Sequence, residues 1–423
     1  MIRMSDLRQK IEDANHKTVE IMMEAQPILV DVRAALDVIP GMQKNMVLHS
    51  GPPVTWDKMS RPQKLGAIGA ILHEGLAGNI NEAVKMLERG EILIEPCHEH
   101  STVGSMAGIT SASMPVFVVK NQTHGNVAYH QVFFDGPGRL AGRLTMGVYN
   151  EEVEQALQWR RDFLAPALRA TIEEAGGINL KNIIARALNM GDECHNRCAA
   201  ATYRFTMEIV PYMFRAKVSS AIIERFINAS AENEQFFLFL CMPACKVVAD
   251  AAHHIRYSTV VTCMARNGTH SGIKVSGLGN RWFTAPSPPV KGLYFSSKYG
   301  PADACPDMGD STITETVGLG AFVIANAPAF MQMVGGTVEE ALDYTRQMYE
   351  ITVTKNRNFL LPFLNFQGAP LGIDIRKVVE KSITPICDTG IAGKEGGFIG
   401  IGITQQPMEM FKASLKAFAE KVR

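Results

Sequence analysis

Ile183-Ile184-Ala185-Arg186-Ala187-Leu188-Asn189-Met190 runs directly into Gly191-Asp192-Glu193-Cys194-His195-Asn196-Arg197-Cys198. The first eight residues read as an apolar, helix-like stretch, and Gly191 breaks it. The next seven hold two carboxylates, two thiols, an imidazole, an amide and a guanidinium. Charges beside a buried helix are costly unless they are paired or hydrogen-bonded, so this segment is the first candidate site. Asp192, Glu193 and His195 can act as acid or base. Asn196 can donate to an oxyanion, and Arg197 offers a fork to a carboxylate or phosphate. The competing reading is a helix N-terminus with a capping carboxylate and a solvated arginine.

Outward from this knot, helical periodicity dominates from about 150 to 235. Helices are expected over Glu151 to Leu168, Leu168 to Ala175, Leu180 to Asn189 and Tyr203 to Phe214, with Gly176-Gly177 as a breaker. On the N-terminal side, a helix is expected over Met1 to Met23. Strands are expected at Ile28 to Val30, Met46 to His49, Ile92 to Ile94 and Pro115 to Val119. Between them Arg61 opens a helix through Leu72, and Asn81 caps another through Glu88. After Phe236 the chain turns Gly-rich and β-rich, and Met408 to Val422 closes it as an amphipathic helix. The expected class is α+β (mixed α/β) and multi-domain. Two α/β parts with Gly-rich loops, 1–149 and 236–423, flank a mainly helical module, 150–235.

Four further segments could carry chemistry. Ala265 to Gly272 holds an Asn-Gly turn in which Asn267, Gly268, Thr269, His270 and Ser271 offer donors; an ordinary hairpin between Val260-Val261-Thr262 and Ile273-Lys274-Val275 is the alternative. Gly309 to Thr316, with Ser311 and Thr312, could hold an anion at a helix N-terminus, or be a plain N-cap. Cys387 to Gly397, with Thr389, Gly390 and Lys394, suits a loop closing over a ligand, or a plain surface loop. Its single Asp-Thr-Gly is weak as an aspartic-protease signal, because no second copy supplies the partner carboxylate. His98-Glu99-His100 could ligate a metal if it lies on a strand, since alternate residues share a face; spacing identifies no third ligand. No cofactor is certain, and a divalent metal is compatible with these residues.

Bulk properties narrow the classes. In 423 residues, lysine plus arginine balance aspartate plus glutamate at 42 each, which argues against a nucleic-acid or acidic-membrane surface. The first residues have no apolar core of signal-peptide type, so the protein is expected to be cytoplasmic. Val317 to Val334 contains Asn326, Pro328 and Gln332, so it is expected to be buried core rather than a membrane span. The eight cysteines include Cys194-x3-Cys198 and Cys241-x3-Cys245, pairs on one helix face that read as small core residues; no C-x2-C zinc pair is present. The 22 methionines are compatible with self-association, though methionines are more often core. There is no Gly-x-Gly-x-x-Gly, P-loop, Gly-x-Ser-x-Gly or His-Glu-x-x-His.

Four stretches, E-P-C-H-E-H-S-T-V-G-S-M-A-G, M-G-D-E-C-H-N-R, R-N-G-T-H-S-G-I and G-D-S-T-I-T-E-T-V-G-L-G, carry a resemblance. From about Pro27 to Gly402 the chain resembles a bacterial family that includes the AllG (YlbE) and YahG types. Its members travel with FdrA-like and AllH-like proteins. The resemblance implies a subunit of oxamate carbamoyltransferase, which interconverts oxalurate plus phosphate with oxamate plus carbamoyl phosphate in anaerobic allantoin breakdown. FdrA-like and AllH-like partner subunits are implied with it. The residues suit that reaction class: Asn196, Asn267 and Thr269 for an oxyanion; Arg197, Lys274 and the Gly309 to Thr312 backbone for anionic groups; His195 or His270, oriented by Glu193 or Asp192, for the leaving nitrogen. The Ser-Thr-Arg-Thr motif of aspartate and ornithine transcarbamoylases is absent. Two other readings stand beside it: a non-catalytic scaffold for an FdrA-like partner, and a metal-dependent amidohydrolase using His98, His100 and His195.

Overall fold

A computed structural model describes residues 4–133 and 143–422. The fold is mixed α+β: helices pack on several small, mainly antiparallel sheets. The first sheet runs Val127–Gln131, Pro115–Asn121, Pro27–Ala34, Ile178–Asn179, with every neighbouring pair antiparallel. A small sheet pairs Met46–His49 in parallel with Leu93–Pro96. Parallel pairing requires a crossover, here made by the helices Arg61–His73 and Ile80–Glu88. The second of these is capped by Asn79, whose side chain accepts from Glu82 N, and not by Asn81 as the sequence suggested. Asn79 has the extended backbone that an N-cap needs.

The expected helix over Glu151 to Leu168 is interrupted. Glu151–Trp159 passes through a wide π-turn, Arg160–Leu164, into Ala165–Ala175. Pro166 lacks the N–H that would continue the ladder, and a widened turn accommodates it. Leu180–Leu188 and Ala199–Arg215 follow as helices on either side of the polar knot.

Beyond Phe236 the chain first makes a helix, Leu238–Ala251, where β-structure was expected. Nearly every residue of this helix is buried, so its sequence has no polar stripe to reveal a helical period. It packs against Pro115–Asn121, Val127–Gln131 and the short helix Ile313–Thr316. Cys241 and Cys245 share one of its faces, with sulfurs 3.8 Å apart.

A second sheet follows: Phe283–Pro286, His270–Val275, Val261–Asn267, Met308–Gly309. A third joins Lys291–Tyr294, Phe398–Gln405 and Ile386–Ala392. The largest apolar cluster takes Leu29, Phe117 and Phe133, then Phe205 and Phe236, then Phe239, Leu319 and Leu361. One core therefore draws on all three of the expected regions. Among the described residues, no helix is long and apolar enough to cross a membrane. The 317–334 stretch is buried in its first part, as Gly320–Asn326.

Candidate functional site

All five polar segments meet around residues 307–316. Arg266, at the end of Val261–Asn267, is fully buried. Its five N–H donors are all used: two on Asp307 (2.7 and 2.9 Å), two on Gly309 O and Thr312 Oγ1, and one on Thr389 Oγ1. Thr389 donates in turn to Asp307 Oδ1. This ion pair locks the second sheet to the strand Ile386–Ala392.

Three residues on, the Asp310 carboxylate accepts from Gly51 N (2.7 Å) and Gly104 N (2.9 Å). Burial pushes its pKa up to about 7, against those two N–H groups. His98 Nε2 lies 3.5 Å from Asp310 and makes no hydrogen bond. Burial, with Lys246 and Lys274 nearby, holds the His98 imidazole well below its ordinary pKa. His98, Lys246, Lys274, Thr262, Cys263 and His253 line a cavity of 220 Å³. Lys246 pairs with Asp250 and Lys274 with Glu99, each at 2.7 Å. Two nearly buried ammonium groups beside a neutral imidazole suit a small anion.

The other centre is the polar knot. His195 Nδ1 stands 2.8 Å from Glu315 Oε1 and 3.1 Å from Asp388 Oδ1. All three side chains are buried. Burial disfavours the charged imidazole, but the two carboxylates outweigh it and hold its pKa well above the ordinary value. Burial raises Glu315 to about 7 against the pull of His195. Burial also works against ionised Asp388, yet His195 keeps it below the usual carboxylate range. Glu193 accepts from His195 N at 2.6 Å and from Arg197 N. Its pKa is raised by burial and by Asp388.

The remaining candidates have local roles. Asp192 accepts from Ala201 N at 2.8 Å, capping Ala199–Arg215, with its pKa raised by burial to about 6. Arg197 Nε donates to Gly191 O and lies 3.7 Å from Asp192. The capping-carboxylate reading thus describes Asp192. Asn196 accepts from Gln235 Nε2 through its own side-chain oxygen, and its buried Nδ2 is unmatched.

Asn267 accepts from Thr269 N, Thr269 Oγ1 and His270 N, and donates to Pro52 O, so its amide builds the hairpin turn. His270 Nδ1 reaches only Thr269 Oγ1, at 3.2 Å, and is not joined to His195. Gly268 makes the turn at φ +80°.

Three expectations are corrected. The helix after Ser311 and Thr312 spans only Ile313–Thr316, and Thr312 Oγ1 donates to Met264 O; no anion-holding helix N-terminus exists there. Thr389 and Gly390 lie in a buried strand, and the turn after it is pinned by Lys394 N to Asp303 O and Gly397 N to Met146 O; this is not a closing loop. His98 and His100 lie on a 3-10 turn, Cys97–His100, rather than a strand. His100 Nδ1 turns away to Pro40 O, so the two do not converge on one ion.

Glu315, Asp310 and Lys246 were not singled out from sequence, and Asp388 entered only through the Asp-Thr-Gly triplet, which was set aside for want of a partner carboxylate. A lysine four residues before Asp250 in an otherwise apolar run was the available signal for Lys246. The carboxylates lay inside segments read for their glycines and hydroxyls.

The sequence profile of oxamate carbamoyltransferase subunit AllG matches residues 92–311. Oxamate carbamoyltransferase subunit AllG of Escherichia coli (strain K12) is 40% identical over 417 residues, covering 97% of this chain and 98% of that protein. The chain belongs to the AllG family. A second relative, the uncharacterized protein YahG of the same organism, is 43% identical over 419 residues, covering 99% of this chain and 88% of YahG. The AllG-family fold is also matched by the crystal structure of a conserved protein of unknown function from Enterococcus faecalis V583. That match has TM-score 0.95 and 41% identity, and covers 99% of both chains. Kinship with AllG relates this chain to a carbamoyltransferase subunit.

Proposed function

We propose that this chain is a subunit of a carbamoyltransferase assembly that interconverts oxalurate plus phosphate with oxamate plus carbamoyl phosphate. The observation that carries the reading is kinship with AllG along almost the whole length of both chains. The cavity beside His98 supports it. A phosphate oxygen attacks the ureido carbonyl, the bond from that carbon to the oxamate nitrogen breaks, and the phosphate proton passes to the departing nitrogen. Lys246 and Lys274 answer the negative charge of both reactants. His98 backed by Asp310, a neutral imidazole beside a carboxyl with pKa near 7, suits relay of that proton. FdrA-like and AllH-like subunits complete the assembly, which is cytoplasmic and needs no nucleic acid or membrane.

The test combines this chain with its FdrA-like and AllH-like partners, supplies oxalurate and phosphate, and follows carbamoyl phosphate. Turnover is expected with all subunits and lost on His98→Gln. An intact assembly inert toward oxalurate would overturn the reading. Because identity to YahG is as high as to AllG, a second reading is transfer to or from another ureido compound. Turnover of such a compound, with oxalurate inert, would favour it.

A further inference from the structure

We infer that His195, Glu315 and Asp388 form a binding site for one divalent cation of hard or borderline character, such as Mn²⁺. The inference does not depend on the carbamoyl-transfer reading. Each residue presents one ligand atom, and these atoms all lie within 4.8 Å of one another. The nitrogen–oxygen separations are 2.8 and 3.1 Å. With metal–ligand bonds near ~2.1 Å, neighbouring ligands of an octahedron stand about 3 Å apart. One imidazole with carboxylate oxygens is a donor set for manganese, magnesium or zinc rather than for a soft, thiolate-preferring ion.

Burial points the same way. Glu315 and Asp388 are two buried carboxylates set against one buried imidazole. Arg266 and Arg197 are engaged elsewhere, Arg266 on Asp307 and Arg197 toward Asp192. Buried charge of this kind is paired or bound to a metal. Neither oxygen of Asp388 receives a well-aligned hydrogen bond, although both are buried.

Two of the three ligands, His195 and Glu315, are also held from behind, as ligands usually are. Glu193 accepts from His195 N at 2.6 Å. Glu315 Oε1 accepts from Ala321 N at 3.1 Å, and its Oε2 from Thr314 Oγ1 at 2.9 Å. The ligands come from the loop after Leu180–Leu188, the helix Ile313–Thr316 and the strand Ile386–Ala392. A cation there ties three distant parts of the chain together.

The experiment loads the full-length chain with Mn²⁺ alone, removes free metal by gel filtration, and measures bound manganese and its electron paramagnetic resonance. About one Mn²⁺ per chain is expected, with nitrogen coupling from a single imidazole, and a raised melting temperature. Asp388→Asn and His195→Gln should each lose the bound metal, and His195→Gln should also lose the nitrogen coupling of any residue left. Wild-type protein that retains no manganese overturns the inference. So does bound manganese without imidazole coupling, a reading on wild type that stands even if both variants fail to fold. Full occupancy in a folded Asp388→Asn variant overturns it as well.

Discussion

Arg266 and Asp307 are a buried pair with complete hydrogen bonding, which makes removal of one partner costly. Arg266→Met strands the Asp307 carboxylate in a dry site, and a loss of about 3–5 kcal/mol is expected in urea unfolding. The double variant Arg266→Met, Asp307→Leu should recover much of that loss, because no charge is left unpaired. Equal instability of the single and double variants would refute this account. Asp310 gives a second prediction at this scale. Its pKa is about 7 in the folded chain against an ordinary value of 3.8. Between those values the folded state keeps a proton that the unfolded state has lost. Stability therefore falls as pH rises through that window and levels off above it. Asp310→Asn cannot titrate, so its stability curve should be flatter from about pH 4 to 7. An unchanged slope would show that Asp310 keeps an ordinary pKa.

Helices that bury one face were legible in the sequence, and the helix that buries every face was not. Met408–Val422 falls where the apolar pattern puts it. Leu238–Ala251 does not, because a helix enclosed on all sides carries no period to read. The hairpin Val261–Asn267 with His270–Val275 was legible through its Asn-Gly step. Its turn shows how packing adds to backbone demand. Gly268 and Gly125 both have φ +80°. A Cβ on Gly268 would meet Met308 Cε at 2.6 Å and Ser60 Cβ at 2.9 Å, whereas one on Gly125 meets nothing within 4 Å. Alanine at either site carries the left-handed penalty of about 1 kcal/mol. Gly268→Ala should cost about 1–3 kcal/mol more through overpacking. Equal denaturation midpoints for the two variants would contradict the packing argument.

At the scale of the molecule, polar segments far apart in the chain gather around residues 307–316, and sequence could suggest such a gathering but not its pairings. The knot at 191–198 was conspicuous because its charges sit together along the chain. Its spatial partners, Glu315 and Asp388, are 120 and 193 residues away from His195 by position, and only the packed fold brings them to it. The cavity by His98 was missed for the same reason: Lys246 comes from the enclosed helix, Lys274 from the hairpin, and His98 from the turn after Leu93–Pro96. Burying two ammonium groups there is tolerable only because Asp250 and Glu99 face them. An incoming phosphate or carboxylate would compete with those acids for the lysines. Replacing Lys274 by Met removes the charge, and with it the ammonium that lies over the Trp282 ring, while keeping an apolar stem of similar length. In the assembled complex, Lys274→Met should weaken phosphate binding about tenfold or more, measured by calorimetry, and should lessen its salt dependence. The same substitution should leave the melting temperature within a few degrees, since Glu99 is partly solvated. Unaltered phosphate affinity in Lys274→Met would move the anion site away from this cavity.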